Sequence, residues 1–229
     1  MLVDCEHRSF QDSLARAASL GGADLIFTSP PYPDARPGQY GGEASHDFTW
    51  TDYQALGDAV FAGLRPGGFC GVVIDGPIRM WRSKAIGSER SLVAFRLAID
   101  WAERVGLRYV EHCAYTRLGT PGQFDPRWRS GWEPLHVFQR PGRGYFDRWG
   151  LSLPRQSDTH SDFSGAQRHG GKIIRYTGRV TRSHERRMLT TTIDGGNRGA
   201  YSEHPAAFAS HLADPFVLCY APVGGLVCD

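Results

Sequence analysis

No stretch of this 229-residue chain approaches the roughly 18 consecutive apolar residues of a membrane-spanning helix. Nor does the N-terminus, Met1-Leu2-Val3-Asp4-Cys5-Glu6, offer the basic region and apolar run of a secretory signal, so a cytoplasmic location is expected. Cysteine is sparse: Cys5, Cys70, Cys113, Cys219 and Cys228 are widely scattered, odd in number and never spaced as CxxC. That usage argues for reduced thiols and against a zinc site, so no metal is expected. There is no internal repeat, and no glycine-rich GxGxxG turn follows a strand. Hydrophobic residues make up 41% of the chain, enough over this length for a core in one large domain, or in one domain with an insert.

What the chain does have is a distinctive turn. The apolar run Asp24-Leu25-Ile26-Phe27 reads as a buried strand and leads into Thr28-Ser29-Pro30-Pro31-Tyr32. Two successive prolines cannot donate ladder hydrogen bonds, so the strand must stop there. Open α/β sheets place their ligands at the carboxyl ends of strands. The tract supplies a hydroxyl, carbonyls held in fixed directions and an aromatic ring, a set suited to holding a planar ring that bears an amine.

The rest of the chain alternates strand and helix signals. Helices are expected over residues 8–20, over 51–64 with a cap at Thr51, over 91–105, and over 205–220, where Pro215 should kink or split the last one. In the 91–105 helix, Leu92, Phe95, Ile99 and Ala102 fall on one stripe, the expected core face. Strands are expected at Leu2-Val3, over 24–28, 69–75, 107–116 and 134–139, and as a buried strand from Leu226. Residues 33–48 form a loop that could fold over a ligand, and Arg65-Pro66-Gly67-Gly68 should end the second helix. The pattern indicates an α/β sheet of mainly parallel strands, with the 107–116 and 134–139 strands able to pair as an antiparallel edge.

Residues 140–199 differ in texture. They carry twelve cations, eleven of them arginine, against five acids, a net of +7, while the remainder of the chain nets −5. Arginine forks suit phosphate and guanine, so Arg168, Lys172, Arg175, Arg179, Arg182, Arg186 and Arg187 are candidate contacts to double-stranded DNA. Only residues 172–180 alternate as a strand would.

Together these pieces resemble the β-group, permuted DNA amino-methyltransferases. Ser29-Pro30-Pro31-Tyr32 is similar to their catalytic motif, in the serine form typical of cytosine-N4 enzymes. Arg65-Pro66-Gly67-Gly68-Phe69, Trp132-Glu133-Pro134-Leu135-His136-Val137-Phe138, His204-Pro205-Ala206-Ala207-Phe208 and Gly224-Gly225-Leu226-Val227-Cys228-Asp229 resemble later elements of the family, in its order. The resemblance spans nearly the whole chain. It implies a Rossmann-like, circularly permuted S-adenosylmethionine-dependent methyltransferase fold of α/β class. Residues 1–139 would be its catalytic part, 140–199 an inserted target-recognition segment, and 200–229 the return to the cofactor side. It also implies roles: Ser29, Pro30, Pro31 and Tyr32 in catalysis, and Thr28, His204, Pro205, Ala206, Phe208 and Asp229 around S-adenosylmethionine.

The implied activity is site-specific methylation of the exocyclic N4 amine of cytosine in DNA, as in restriction-modification or DNA protection. Adenine N6 stays open as the target. The family continues beyond Asp229 into a glycine-rich cofactor turn that this sequence does not contain. The resemblance then requires a complementary chain or segment to supply it, or else a non-catalytic DNA-binding remnant. On that reading residues 1–4 would be poorly paired.

Overall fold

The computed structural model describes residues 10–32, 48–76, 78–80, 88–116, 131–151, 153–169, 172–185, 191–194 and 210–229. The strand expected at Leu2-Val3 and most of the loop expected over 33–48 lie outside them. Helix α1, Phe10–Ser19, buries Leu14 and Ala17, one turn apart on the same face. Its end is set by Gly21 and Gly22, whose φ of 97° and 93° lie in the region that only glycine enters freely. The Gly22 amide bonds the Ala17 carbonyl and the Gly21 amide that of Ala18, the paired closure of a Schellman motif. The chain thereby turns directly into strand β1, Ala23–Thr28, buried along nearly all its length.

Helix α2, Trp50–Gly63, starts one residue before the expected Thr51 and is capped by Thr49 instead. The Thr49 hydroxyl accepts from the Asp52 amide, and Asp52 Oδ2 accepts from the Thr49 amide at 2.7 Å, a reciprocal capping box. Strand β2, Leu64–Val73, follows at once. Helix α2 does end just before Arg65-Pro66-Gly67-Gly68, but the tract lies within β2 as a bulge rather than ahead of the strand. Ala23 pairs with Leu64 and Leu25 with Phe69, so four residues of β2 face Asp24 alone. The bulge brings the Arg65 guanidinium onto the Asp24 carboxylate, which also accepts from the Leu226 amide at 2.9 Å. Asp24 is 6% exposed, and these two contacts give its buried side chain polar partners.

Strands β3, Ile78–Met80, and β4, Ser88–Arg90, form a separate antiparallel pair. Helix α3, Val93–Glu103, precedes β5, Arg108–Thr116, and β6, Trp132–Gln139. After β7, Leu153–His169, and β8, Lys172–Glu185, come β9, Thr192–Asp194, helix α4, Ser210–Tyr220, and β10, Val227–Cys228. The main sheet runs β10-β1-β2-β6-β5-β9, and β6 alone opposes its neighbours. The β5–β6 pair is antiparallel as expected. It is not an edge, because β6 lies between β2 and β5 and β9 borders β5.

Helices α2 and α3 cover one face of this sheet. Trp101 packs on Phe138 with ring centroids 5.2 Å apart and donates its indole N–H to the Tyr53 carbonyl at 3.0 Å. Helix α4 covers the other face, setting Phe216 on Phe27 and Tyr220 on Phe69. It passes through Pro215 as one element rather than splitting. The core face of α3 also differs from expectation: Ala94, Leu97, Ala98 and Trp101 are buried, whereas Leu92, Phe95 and Ile99 are exposed. Both stripes have helical spacing, and the larger Trp101 takes the interior.

Residues 148–189 form a second compact unit, within which β7 and β8 pair antiparallel from Leu153↔Glu185 to His169↔Lys172. At the usual rise per residue, the 14 residues of β8 make a two-stranded ribbon about 45 Å long.

Candidate active site

Strand direction decides which residues meet. Strands β10, β1 and β2 are parallel, with Leu25 opposite Val227 and Thr28 opposite Val72. Their carboxyl ends therefore emerge at one edge of the sheet. At that edge stand the Thr28–Tyr32 tract after β1, Asp75 and Gly76 after β2, and Asp229 after β10. Because β6 is reversed, it presents its beginning there instead: the Ile74 amide bonds the Pro134 carbonyl, next to Glu133. The Thr28–Tyr32 tract and Asp229 are some two hundred residues apart in sequence, yet they terminate neighbouring strands.

Pro30 is buried, Ser29 and Tyr32 are half-buried, and Pro31 is exposed. The tract is held at two successive residues. The Tyr53 hydroxyl, from α2, donates to the Pro31 carbonyl at 2.6 Å. The Tyr32 hydroxyl donates to Glu133 Oε2, from β6, at 2.9 Å. Tyr53 is itself fixed, being 1% exposed with its ring against Phe48 at 4.7 Å. Beyond β2, Asp75 Oδ1 accepts from the Gly76 amide at 2.8 Å and pairs with Arg90 at 3.2 Å. The tract is thus fixed at the Pro31 carbonyl and the Tyr32 hydroxyl by side chains of two different elements. Neither Glu133 nor Tyr53 stands out in the sequence as a site residue. The one signal is an acid, Glu133, near the start of a mostly apolar strand.

The other candidates are distributed as follows. His204, Pro205, Ala206, Phe208, Arg186 and Arg187 lie outside the described residues. Arg168, Lys172, Arg175, Arg179 and Arg182 lie on the β7–β8 ribbon, with Arg168 paired to Ile173, Arg175 to Ala166, Arg179 to Asp162 and Arg182 to Thr159. Among the described residues, no three potential metal-ligating side chains gather, and no helix is long and apolar enough to cross a membrane.

Among solved structures, the PvuII DNA methyltransferase (cytosine-N4-specific) superposes with a TM-score of 0.58 at 17% identity, covering 90% of this chain and 66% of that one. The chain has a methyltransferase fold. It is Rossmann-like and spans just under two thirds of that relative's length. Weaker likenesses include M1.HpyAVI in complex with SAM, at a TM-score of 0.39 and 14% identity, covering 64% of this chain and 59% of that one. A Thermus thermophilus protein provisionally named a DNA modification methylase, complexed with S-adenosyl-L-methionine, scores 0.43 at 20% identity and covers 59% and 55%. No family model and no curated protein matches the sequence. In the methyltransferase fold of this chain, the Ser29–Tyr32 tract and Asp229 close adjacent strands on the sheet edge where α/β folds bind ligands.

Proposed function

We propose that the chain belongs to a DNA methyltransferase that transfers the methyl group of S-adenosylmethionine to the N4 amine of cytosine. The observation that carries this reading is the placement of Ser29-Pro30-Pro31-Tyr32 at the sheet's carboxyl edge, fixed by Tyr53 and Glu133 and adjoining Asp229. The permuted order is supported by β10, the strand before Asp229, lying beside β1 although it comes last in sequence.

A carboxylate beside an aromatic tract suits a cationic methyl donor. Asp229 would hold S-adenosylmethionine together with Thr28, His204, Pro205, Ala206 and Phe208. That cofactor supplies a methyl group on a sulfonium, an activated leaving group. The protein's own task is to orient the acceptor. An exocyclic amine delocalises its lone pair into the ring and is a poor nucleophile. Hydrogen bonds from the amine to Ser29 Oγ and the Pro30 carbonyl would favour a tetrahedral nitrogen with its lone pair directed outward. That the Pro31 carbonyl is already engaged by Tyr53 supports the neighbouring Pro30 carbonyl as the amine's acceptor. Tyr32 stacks on the base, which must leave the duplex to reach this edge. A serine hydroxyl is a weak base, so the amine releases its proton to solvent during or after methyl transfer, and rate comes mainly from orientation and preorganised polarity.

The β7–β8 unit supports DNA as the substrate. A two-stranded ribbon fits the major groove, and its Arg168, Lys172, Arg175, Arg179 and Arg182 suit phosphate and base contacts. The test is transfer of labelled methyl from S-adenosylmethionine to duplex DNA, with the product nucleoside identified. N4-methylcytosine is expected, and Ser29→Ala should cut kcat by about 100-fold or more while DNA still binds. N6-methyladenine would move the target to adenine, and no transfer by the whole protein of which this chain is part, cofactor turn included, would refute the reading.

A further inference from the structure

We propose that Glu133 is a positioning residue that sets the Tyr32 ring for stacking through the Tyr32 hydroxyl, a role that rests on the methyltransferase reading above. Glu133 is 7% exposed, and a carboxylate so buried is retained only with hydrogen-bond donors. One of its donors is the phenol of Tyr32, 2.9 Å away and 101 residues distant in sequence. The reversal of β6 makes that contact possible, since a parallel strand would carry its first residues to the opposite edge.

A tyrosine attached only at its Cα is free to swing about two torsions. Held also at its hydroxyl, the ring is pinned at both ends. The backbone just before it is pinned as well, by Tyr53 on the Pro31 carbonyl. A carboxylate from the sheet and a phenol from α2 therefore fix the ring and the carbonyl side of one clamp independently. Stacking by the ring face needs no hydroxyl, so a phenylalanine at position 32 would serve equally if position alone were unimportant. The hydroxyl's bond to Glu133 gives the tyrosine its purpose.

Kinetics of the full protein with labelled S-adenosylmethionine and duplex DNA test this in Tyr32→Phe, Glu133→Leu, Glu133→Gln and the Tyr32→Phe/Glu133→Leu double variant. Misplacing a reacting ring should lower kcat by about 10- to 100-fold. Tyr32→Phe and Glu133→Leu should each show that loss, with KM for both substrates within about twofold of wild type. The double variant should be no slower than either single one, because both remove the same contact. Glu133→Gln keeps an acceptor and should restore kcat to near wild type. If Glu133→Leu fails to fold, Tyr32→Phe against Glu133→Gln decides: the first should be slow and the second not. Wild-type kcat in Tyr32→Phe, additive losses in the double variant, or a slow Glu133→Gln that melts like wild type would overturn the role of Glu133 alone. A wild-type protein that transfers no methyl group would refute the function and the positioning role with it.

Discussion

His136, in the reversed strand β6, has 1% of its surface exposed and is ringed by aromatic side chains. Its Nδ1 meets the Tyr109 hydroxyl at 3.0 Å, Phe95 lies edge-on at 6.1 Å, and Phe138 flanks it along the strand. Burial, with a smaller contribution from His112 on the paired strand, pushes its pKa down to about 4. The imidazole is therefore neutral in the folded protein through a range where the unfolded chain takes up a proton. Stability from this group is present above about pH 6.5 and is lost as pH falls towards about 4. The full loss is about 3 kcal/mol at 1.36 kcal/mol per pKa unit. His136→Asn keeps a polar atom near the Nδ1 position but does not titrate. Urea unfolding across this range should show a decline in wild type that is clearly shallower in the variant. Equal slopes would place the acid sensitivity elsewhere.

The pairing of α2 with α3 rests on a close approach. A Cβ on Gly57 would lie 2.5 Å from Trp101 Nε1, and Trp101 is wholly buried with its N–H committed to the Tyr53 carbonyl. Alanine would improve helix propensity by about 1 kcal/mol, but overpacking a filled core costs about 1–3 kcal/mol. Overpacking should prevail, so Gly57→Ala is expected to lower Tm and weaken α2, and with it the Tyr53 hold on Pro31. A variant with raised Tm would show that the interface can open without cost. The same pair of helices shows why spacing predicts the wrong core face for α3. Leu92, Phe95 and Ile99 keep the same period as Leu97, Ala98 and Trp101, and spacing alone cannot choose between two apolar stripes. Arg96 then stacks its guanidinium over Trp50 at 3.8 Å, a contact between α3 and α2 that no sequence period announces.

Across the whole molecule, charge is divided: residues 140–199 net +7 and the rest −5. If the ribbon's cations neutralise phosphates, each should contribute about 0.9 to the slope of log affinity against log salt. Arg175→Gln with Arg179→Gln should then flatten that slope by about 1.8, measurable by fluorescence anisotropy on mixed-sequence duplexes. An unchanged slope with altered sequence preference would assign the pair to base edges instead.

The strand at residues 24–28, the break at Pro30-Pro31 and the basic segment could be read from sequence because they follow from local chemistry. Proline lacks a donor, apolar runs seek the interior, and arginine stays charged. The sequence by itself therefore determined which residues are equipped for amine chemistry and which carry the cationic surface. Other features could not be read this way. Arg65-Pro66-Gly67-Gly68 reads as the helix stop it is, but not as the bulge in β2 that sets Arg65 on the buried Asp24. Glu133 looks like one acid in an apolar strand until β6 runs against its neighbours and delivers it to Tyr32. Only the tertiary structure decided what holds the Ser29–Tyr32 clamp in place, because strand direction and order are long-range properties that no local window encodes.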